Sequence, residues 1–312
     1  MSASKNTRPV IITCALTGAI HTPGMSPHLP VTPDEIIAEG RRAVDAGAAI
    51  LHVHARDPDT GRPDQSVEAF GRILPALKET GAVINITTGG SPFMTVDERL
   101  GPAAHYAPEL CSLNLGSMNM GLYTMQARFP DLGRDWENDH LENSRNMVFK
   151  NTFSDIERIL EVCGAQGTRF EFECYDIGHL YTLAHMKGRD KVGAPLFVQS
   201  VFGLLGGIGA HAEDVQMMRR TADRLLGDAY QWSVMGAGSN QMRIAAVSAA
   251  MGGHVRVGLE DSLWSGPGEL ATSAAQQIDK VRQLLSGLSL APASPDEART
   301  LLGLKGAEQV NF

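Results

Sequence analysis

Eight short runs rich in β-branched and aromatic residues recur along the chain, each followed by a stretch of helical character. The runs are "VIITCALTG" (10–18), "AAILHVHA" (48–55), "AVINITTGG" (82–90), "LCSLNLG" (110–116), "RFEFECYD" (169–176), "LFVQSVFG" (196–203), "YQWSVMGAG" (230–238) and "HVRVGLED" (254–261). Amphipathic helices are expected at 32–46, 66–79, 95–104, 154–165, 178–187, 211–226, 239–251 and 271–287. Strict alternation of β and α units leads to a parallel sheet covered by helices. Eight units predict an α/β fold of the TIM (β/α)8 type; a doubly wound open sheet shares the alternation but not the count. The 312 residues suit one such barrel, so 1–312 reads as a single domain.

Local signals agree. Thr32, Pro33, Asp34 and Glu35 supply a cap, a first-turn proline and acids at the positive end of the first helix, and Gly47 supplies its stop. "ASPDEARTLLGL" (293–304) adds a short C-terminal helix with the same opening. The longest insertion, 117–153, follows the fourth strand; a stretch that long without a clear period is expected to be functional or a subunit contact. Net charge is −8 with no long basic run, which argues against nucleic acid or an anionic membrane as partner. No stretch approaches 18 uninterrupted apolar residues, and the polar start "MSASKNTRPV" lacks a signal-peptide core. Cys14, Cys111, Cys163 and Cys174 show no CxxC spacing and read as buried thiols of a cytoplasmic protein.

In a barrel of this type, active sites gather at the C-terminal ends of the strands. Strand two carries His52 and His54 there. Residues i and i+2 of a strand share a face roughly 6 to 7 Å apart, a spacing from which two imidazoles can hold one divalent metal. Two ordinary half-buried histidines are the plainer alternative. Strand three ends in Thr87-Thr88-Gly89-Gly90, strand four offers Ser112 and Asn114, and strand five offers Glu171 and Glu173. An interior acid needs a partner or a metal. Strand eight offers Arg256 and then Glu260-Asp261, where Asp261 could instead cap a helix. Together these read as a His, His, Glu site with open positions, the kind that polarises carbonyls or activates water. Zinc suits the N2O set first; manganese, iron or cobalt use the same donors. "GLLGGIGAH" and "GAGSN" place Gly206, Gly207, Gly236 and Gly238 before helices, where backbone N–H groups could bind a cofactor's phosphates, although tight turns also need glycine.

The segments "ITCALTGA", "LHVHARDPDTGRP", "NITTGG", "SLNLGSMN", "FEFECYD", "FGLLGG" and "GGHVRVGLEDSLW" appear in order and span nearly the whole chain. This set resembles the β-keto acid cleavage enzymes. The resemblance implies a TIM barrel, commonly a homotetramer, with a divalent metal, usually zinc, that reacts a β-keto acid with acetyl-CoA to give acetoacetate and a new acyl-CoA. It implies metal ligands at His52, His54 and Glu260, and a base at Asp261 oriented by Arg256. Thr87 takes the place of a substrate-binding serine, Ser112 and Asn114 match polar pocket positions, and Glu171 or Glu173 matches an acid of the "E-x-E-x-Y" segment. One departure matters: the family's namesake, which acts on an amino-hexanoate, has a glutamate where this chain has Ile20. An apolar side chain cannot pair with an ammonium, so a neutral or anionic side group is expected on the substrate. Two other readings remain: an amidohydrolase-like metal hydrolase, which also uses HxH in a barrel, and a catalytically silent metal- or acyl-CoA-binding barrel.

Overall fold

The computed structural model describes residues 8–90 and 94–312; the leader reading of "MSASKNTRPV" rests mainly on residues 1–7, outside them. The eight expected strands are present as β1 (Ile12–Ala15), β2 (Ile50–Val53), β3 (Val83–Ile86), β4 (Leu110–Asn114), β5 (Arg169–Cys174), β6 (Leu196–Phe202), β7 (Tyr230–Gly236) and β8 (His254–Val257). They close into one parallel barrel in the ring order β1-β8-β7-β6-β5-β4-β3-β2.

Alternation along each strand divides the residues between two environments. Cys14, Leu51, Cys111, Phe172, Val198 and Val255 turn outward and pack with the helices in one core. At the floor the inward positions are apolar, where Ile11, Ile50, Val83, Leu110 and Phe197 form a separate cluster, and Val201 and Met235 form a smaller apolar group near the mouth. Above the floor the interior is otherwise polar: Thr13, His52, Asn85, Glu171, Gln199, Ser233 and Arg256 are all buried.

The helices are α1 (Pro33–Asp45), α2 (Val67–Gly71), α3 (Leu74–Lys78), α4 (Val96–Tyr106), α5 (Asp135–Asn143), α6 (Phe153–Gly164), α7 (Ile177–Gly188), α8 (Ala212–Leu226), α9 (Gln241–Ala250), α10 (Ala274–Gly287) and α11 (Pro295–Leu302). The helix expected at 66–79 is two short ones. Pro75 has no N–H to give the carbonyl of Gly71, and its ring crowds that carbonyl, so the first helix ends and a second begins. Helix α11 places Ala298 and Leu302 in the floor cluster, closing the barrel's N-terminal end.

The insertion expected at 117–153 folds as a two-stranded ribbon (Met118–Asn119 with Val148–Phe149) enclosing two 3-10 turns and α5. All four cysteines are buried and free. No helix among the described residues is long and apolar enough to cross a membrane.

Candidate active site

His52 and His54 rise from the end of β2 with their Nε2 atoms 3.2 Å apart. Glu260 reaches them from the far side of β1, since β8 and β2 flank that strand. Its Oε1 lies 3.6 Å from His52 Nε2 and 3.5 Å from His54 Nε2. One donor atom from each residue falls within 4.8 Å of the other two. Room for this approach comes from Gly18, where a Cβ would stand 2.2 Å from Glu260 Cγ.

Strand β8 ends earlier than the sequence suggests, at Val257. At Gly258 φ is +150°, and a Cβ there would lie 2.0 Å from the Ala15 carbonyl oxygen, so only glycine fits. The chain then turns, with the N–H groups of Asp261 and Ser262 donating to the Gly258 carbonyl at 3.2 and 3.0 Å. This turn lets two consecutive acids face the same partner, which a regular strand would forbid. Asp261 caps no helix; the next, α10, is capped by Ser273.

That partner is Arg256. It donates from Nε and Nη2 to both oxygens of Asp261 (3.1 and 2.9 Å), from Nη2 to Glu260 (2.7 Å) and from Nη1 to Glu173 (3.1 Å). Tyr175 donates its hydroxyl to the other oxygen of Glu173 at 2.8 Å. Deeper in, Asn85 donates to Glu171 at 2.7 Å, and that same oxygen lies 3.8 Å from His52 Nδ1.

One cation among four buried acids spreads their proton affinities apart. Burial pushes Asp261 up to about 6, against the pull of Arg256. Burial likewise raises Glu171 to about 8, leaving it a neutral acid near pH 7. Burial alone would raise Glu260 too, but His54 and Arg256 outweigh it and hold this carboxyl well below its ordinary range. Burial, then Arg256, holds His52 well below the usual histidine range, so its ring is neutral. A neutral imidazole, a second one facing it and an ionised carboxylate form a ligand set for a divalent cation. Glu260 Oε2 and His52 Nδ1 are buried without hydrogen-bond partners, as fits a ligand oxygen and a ring whose far nitrogen turns toward the Glu171 carboxyl 3.8 Å away. These three residues fit the metal that the sequence implied.

Two cavities open at this mouth. The first, about 420 Å³, is lined by His52, His54, Glu260, Thr87, Gly89, Asn114, Glu173 and Ile20, with Trp136, His140 and Asn143 from the insertion. The second, about 330 Å³, is lined by Asp261, Gly238, Ser239, Leu204, Leu205 and Trp264. Ile20, Leu122 and Glu260 form the wall between them.

Several expected residues line neither cavity. The Thr88 hydroxyl donates to the Ser112 carbonyl at 2.6 Å, tying β3 to β4. Ser112 and Glu171 lie below the mouth. Gly206, Gly207 and Gly236 are needed for close packing, since a Cβ would strike the carbonyls of Asn119, Tyr175 and Asn240 respectively. Of the four glycines proposed for phosphate, Gly238 alone faces a cavity, with φ +58° and open space around it.

Sequence reasoning missed Asn85 and Arg56. Asn85 interrupts β3 two residues before Thr87, and the alternation Val83, Asn85, Thr87 could have marked it as inward. Arg56 follows the HxH pair and donates to the carbonyls of Thr17, Gly18, His21 and Gly61 and to the Thr17 hydroxyl at 2.7 to 3.1 Å. It thereby fixes the β1 loop that carries Ile20 and Gly18 against Glu260.

The model for the family described as "beta-keto acid cleavage enzyme" matches residues 9–304. The chain belongs to this family. Among curated β-keto acid cleavage enzymes and their kin, it is 63% identical to a 3,5-dioxohexanoate:acetyl-CoA acetone transferase of Paraburkholderia graminis, over 98% of this chain and 99% of that one. It is 32% identical to a 3-keto-5-aminohexanoate cleavage enzyme of Fusobacterium nucleatum, over 95% of this chain and 98% of the relative. Among solved structures, the binary complex of ObcA with oxaloacetate matches with a TM-score of 0.71 at 19% identity, over 89% of this chain and 68% of that one, a likeness of fold. A hydrolase of the amidohydrolase type would place histidines after β5 and β6. The nearest to β5, His179, lies on α7, where its Nδ1 accepts the Tyr175 N–H at 3.1 Å.

Proposed function

We propose that this β-keto acid cleavage enzyme converts a β-keto acid and acetyl-CoA into acetoacetate and a new acyl-CoA. The observation that carries the reading is the wall at Glu260: His52 and His54 face one cavity, Asp261 faces the other, and the two meet there. A reaction that joins two carbonyl compounds needs two approaches to one point. The first cavity takes the keto acid and the second takes the thioester end of acetyl-CoA.

His52, His54 and Glu260 would hold a divalent ion, zinc by donor type, which when bound supplies Lewis acidity toward the ketone. Asp261, at about 6, is ionised near neutral pH yet more basic than an ordinary aspartate, which suits removal of a C2 proton. Arg256 orients it through two hydrogen bonds. The C2 carbanion attacks the acetyl carbonyl, the C2–acetyl bond forms and coenzyme A leaves as thiolate. The thiolate adds to the original ketone carbon, the C2–C3 bond breaks, and acetoacetate takes back a proton at C2. Thr87 and Asn114, on the first cavity, position the keto acid. Gly238, on the second, offers its place beside the thioester.

The substrate best supported is 3,5-dioxohexanoate, named in the 63% relative. Ile20 on the cavity wall favours its neutral C5 carbonyl over an ammonium. Four buried free thiols suit the cytoplasm, and exposed Phe153, Tyr181 and Met217 on the outer helices suit burial in a homotetramer.

Incubation with acetyl-CoA and 3,5-dioxohexanoate should yield acetoacetate and acetoacetyl-CoA in equal amounts. Asp261→Asn should lose about 10²–10⁴-fold in kcat while still binding zinc. Zinc at 100 times its Kd should stabilise the wild type by about 2.7 kcal/mol in thermal unfolding, and His52→Ala should lose that response. Undiminished turnover in the first variant, or an unchanged zinc response in the second, would refute the respective assignment.

A further inference from the structure

Helix α5 gives the first cavity a polar wall at helical spacing. Trp136, Asp139, His140 and Asn143 stand at i, i+3, i+4 and i+7, which is one face of a helix, and all four line the cavity. The helix is fixed in place by other contacts. Buried Glu137 accepts the Gly24 N–H at 2.7 Å, and the Trp136 indole donates to the Thr60 carbonyl at 3.0 Å. The Arg62 guanidinium stacks over that indole at 4.9 Å. The wall is therefore held in register with the β1 and β2 loops.

Its chemistry is neutral hydrogen bonding. Burial, and then the charge of Arg56, lower the proton affinity of His140, so the ring is uncharged near pH 7. The ring lies beside the backbone of Ala19 and Ile20 on one side and lines the cavity on the other. Asn143 adds an amide one turn on. The charged residues of this wall, Asp139 and Arg62, are exposed and opposite in sign. Ile20 contributes only apolar surface. The buried charges nearest this wall are already engaged, Arg56 by the carbonyls of the β1 loop and Glu173 and Glu260 by Arg256. A distal ammonium or carboxylate would have to compete for them, whereas a carbonyl or its enol meets a neutral imidazole and an amide.

We infer that the inner face of α5, chiefly His140 with Asn143 beside it, reads a neutral oxygen on the acyl chain beyond the reacting ketone and so selects diketo acids. This rests on the keto-acid reading above and goes past it by assigning the discrimination to residues of the insertion. A pocket built to hydrogen-bond a substrate group rejects the analogue lacking it far more strongly than a merely apolar pocket does.

The test compares kcat/KM with acetyl-CoA for 3,5-dioxohexanoate, 3-oxohexanoate and 3-keto-5-aminohexanoate. The wild type should prefer the first over the second by about 100-fold or more. His140→Phe and Asn143→Leu should each cut that preference at least tenfold, and His140→Gln should keep part of it. An unchanged thermal unfolding midpoint in each variant is the control for folding. The inference is overturned by equal losses on both acids, by an unaltered ratio, or by a wild type that prefers the amino acid. A wild type that turns over none of the three would instead overturn the keto-acid reading, and this one with it.

Discussion

Arg256 sets the charge balance of the mouth. Its side chain is 3% exposed and holds Asp261, Glu260 and Glu173 together. A buried pair is a poor source of net stability, but removing one partner leaves uncompensated charge, which costs about 3–5 kcal/mol. Arg256→Met should therefore lose at least about 3 kcal/mol at pH 7 in urea unfolding. The sign of its pH dependence follows from the same geometry. Without the guanidinium the buried carboxyls are pushed up further, so the folded variant takes up protons before the unfolded chain does and gains stability as pH falls. The deficit should shrink toward pH 5; a variant as stable as the wild type at pH 7 would show that the carboxylates compensate one another some other way.

Helix α1 shows what an element can announce in its own sequence. The Thr32 hydroxyl accepts the Glu35 N–H at 3.3 Å, the cap its letters suggested, and the Glu35 carboxylate accepts the Thr32 N–H at 2.9 Å in return. Thr32→Ala should cost about 1 kcal/mol, read as a lower urea midpoint at unchanged slope; no change would mean that packing alone sets the start of this helix. Strands and caps were legible because they depend on alternation and on groups three or four residues apart. The insertion was not. Its order comes from Glu137 meeting Gly24 and Trp136 meeting Thr60, partners more than 70 residues away that no local period reveals. The break between α2 and α3 is marked in the sequence by Pro75, but the apolar spacing runs through it and reads as one helix.

At the scale of the molecule, the barrel separates chemistry at its mouth from stability at its floor. The convergence of His52, His54 and Glu260 could be read from the sequence because HxH and the Glu-Asp pair follow strands that an eight-unit barrel brings together. The division into two cavities could not, since it depends on how far the turn after Gly258 swings Asp261 from His52. His254 belongs to the floor side of the divide. The Ile11 N–H donates to its Nδ1 at 3.0 Å, and its Nε2 faces Gln231 Oε1 at 3.3 Å, so the proton sits on Nε2. Burial, then Arg8, lower its pKa to about 3. A second proton would have to enter between Nδ1 and an N–H already pointing at it. Unfolding exposes the ring, which then binds a proton below its ordinary value near 6.5. The unfolded chain thus holds the extra proton between pH 6.5 and 3, and stability falls through that window by about 1.4 kcal/mol per pH unit for this one group. Glu171 and Asp261, raised by burial, act with the opposite sign as pH drops from 8, so the total profile mixes both. Comparing two proteins isolates the histidine. His254→Asn keeps an oxygen to accept the Ile11 N–H and removes the titration. Its urea-unfolding free energy should fall less than the wild type's between pH 6.5 and 5, by about 2 kcal/mol. Parallel profiles for the two would mean that His254 is already protonated in the fold.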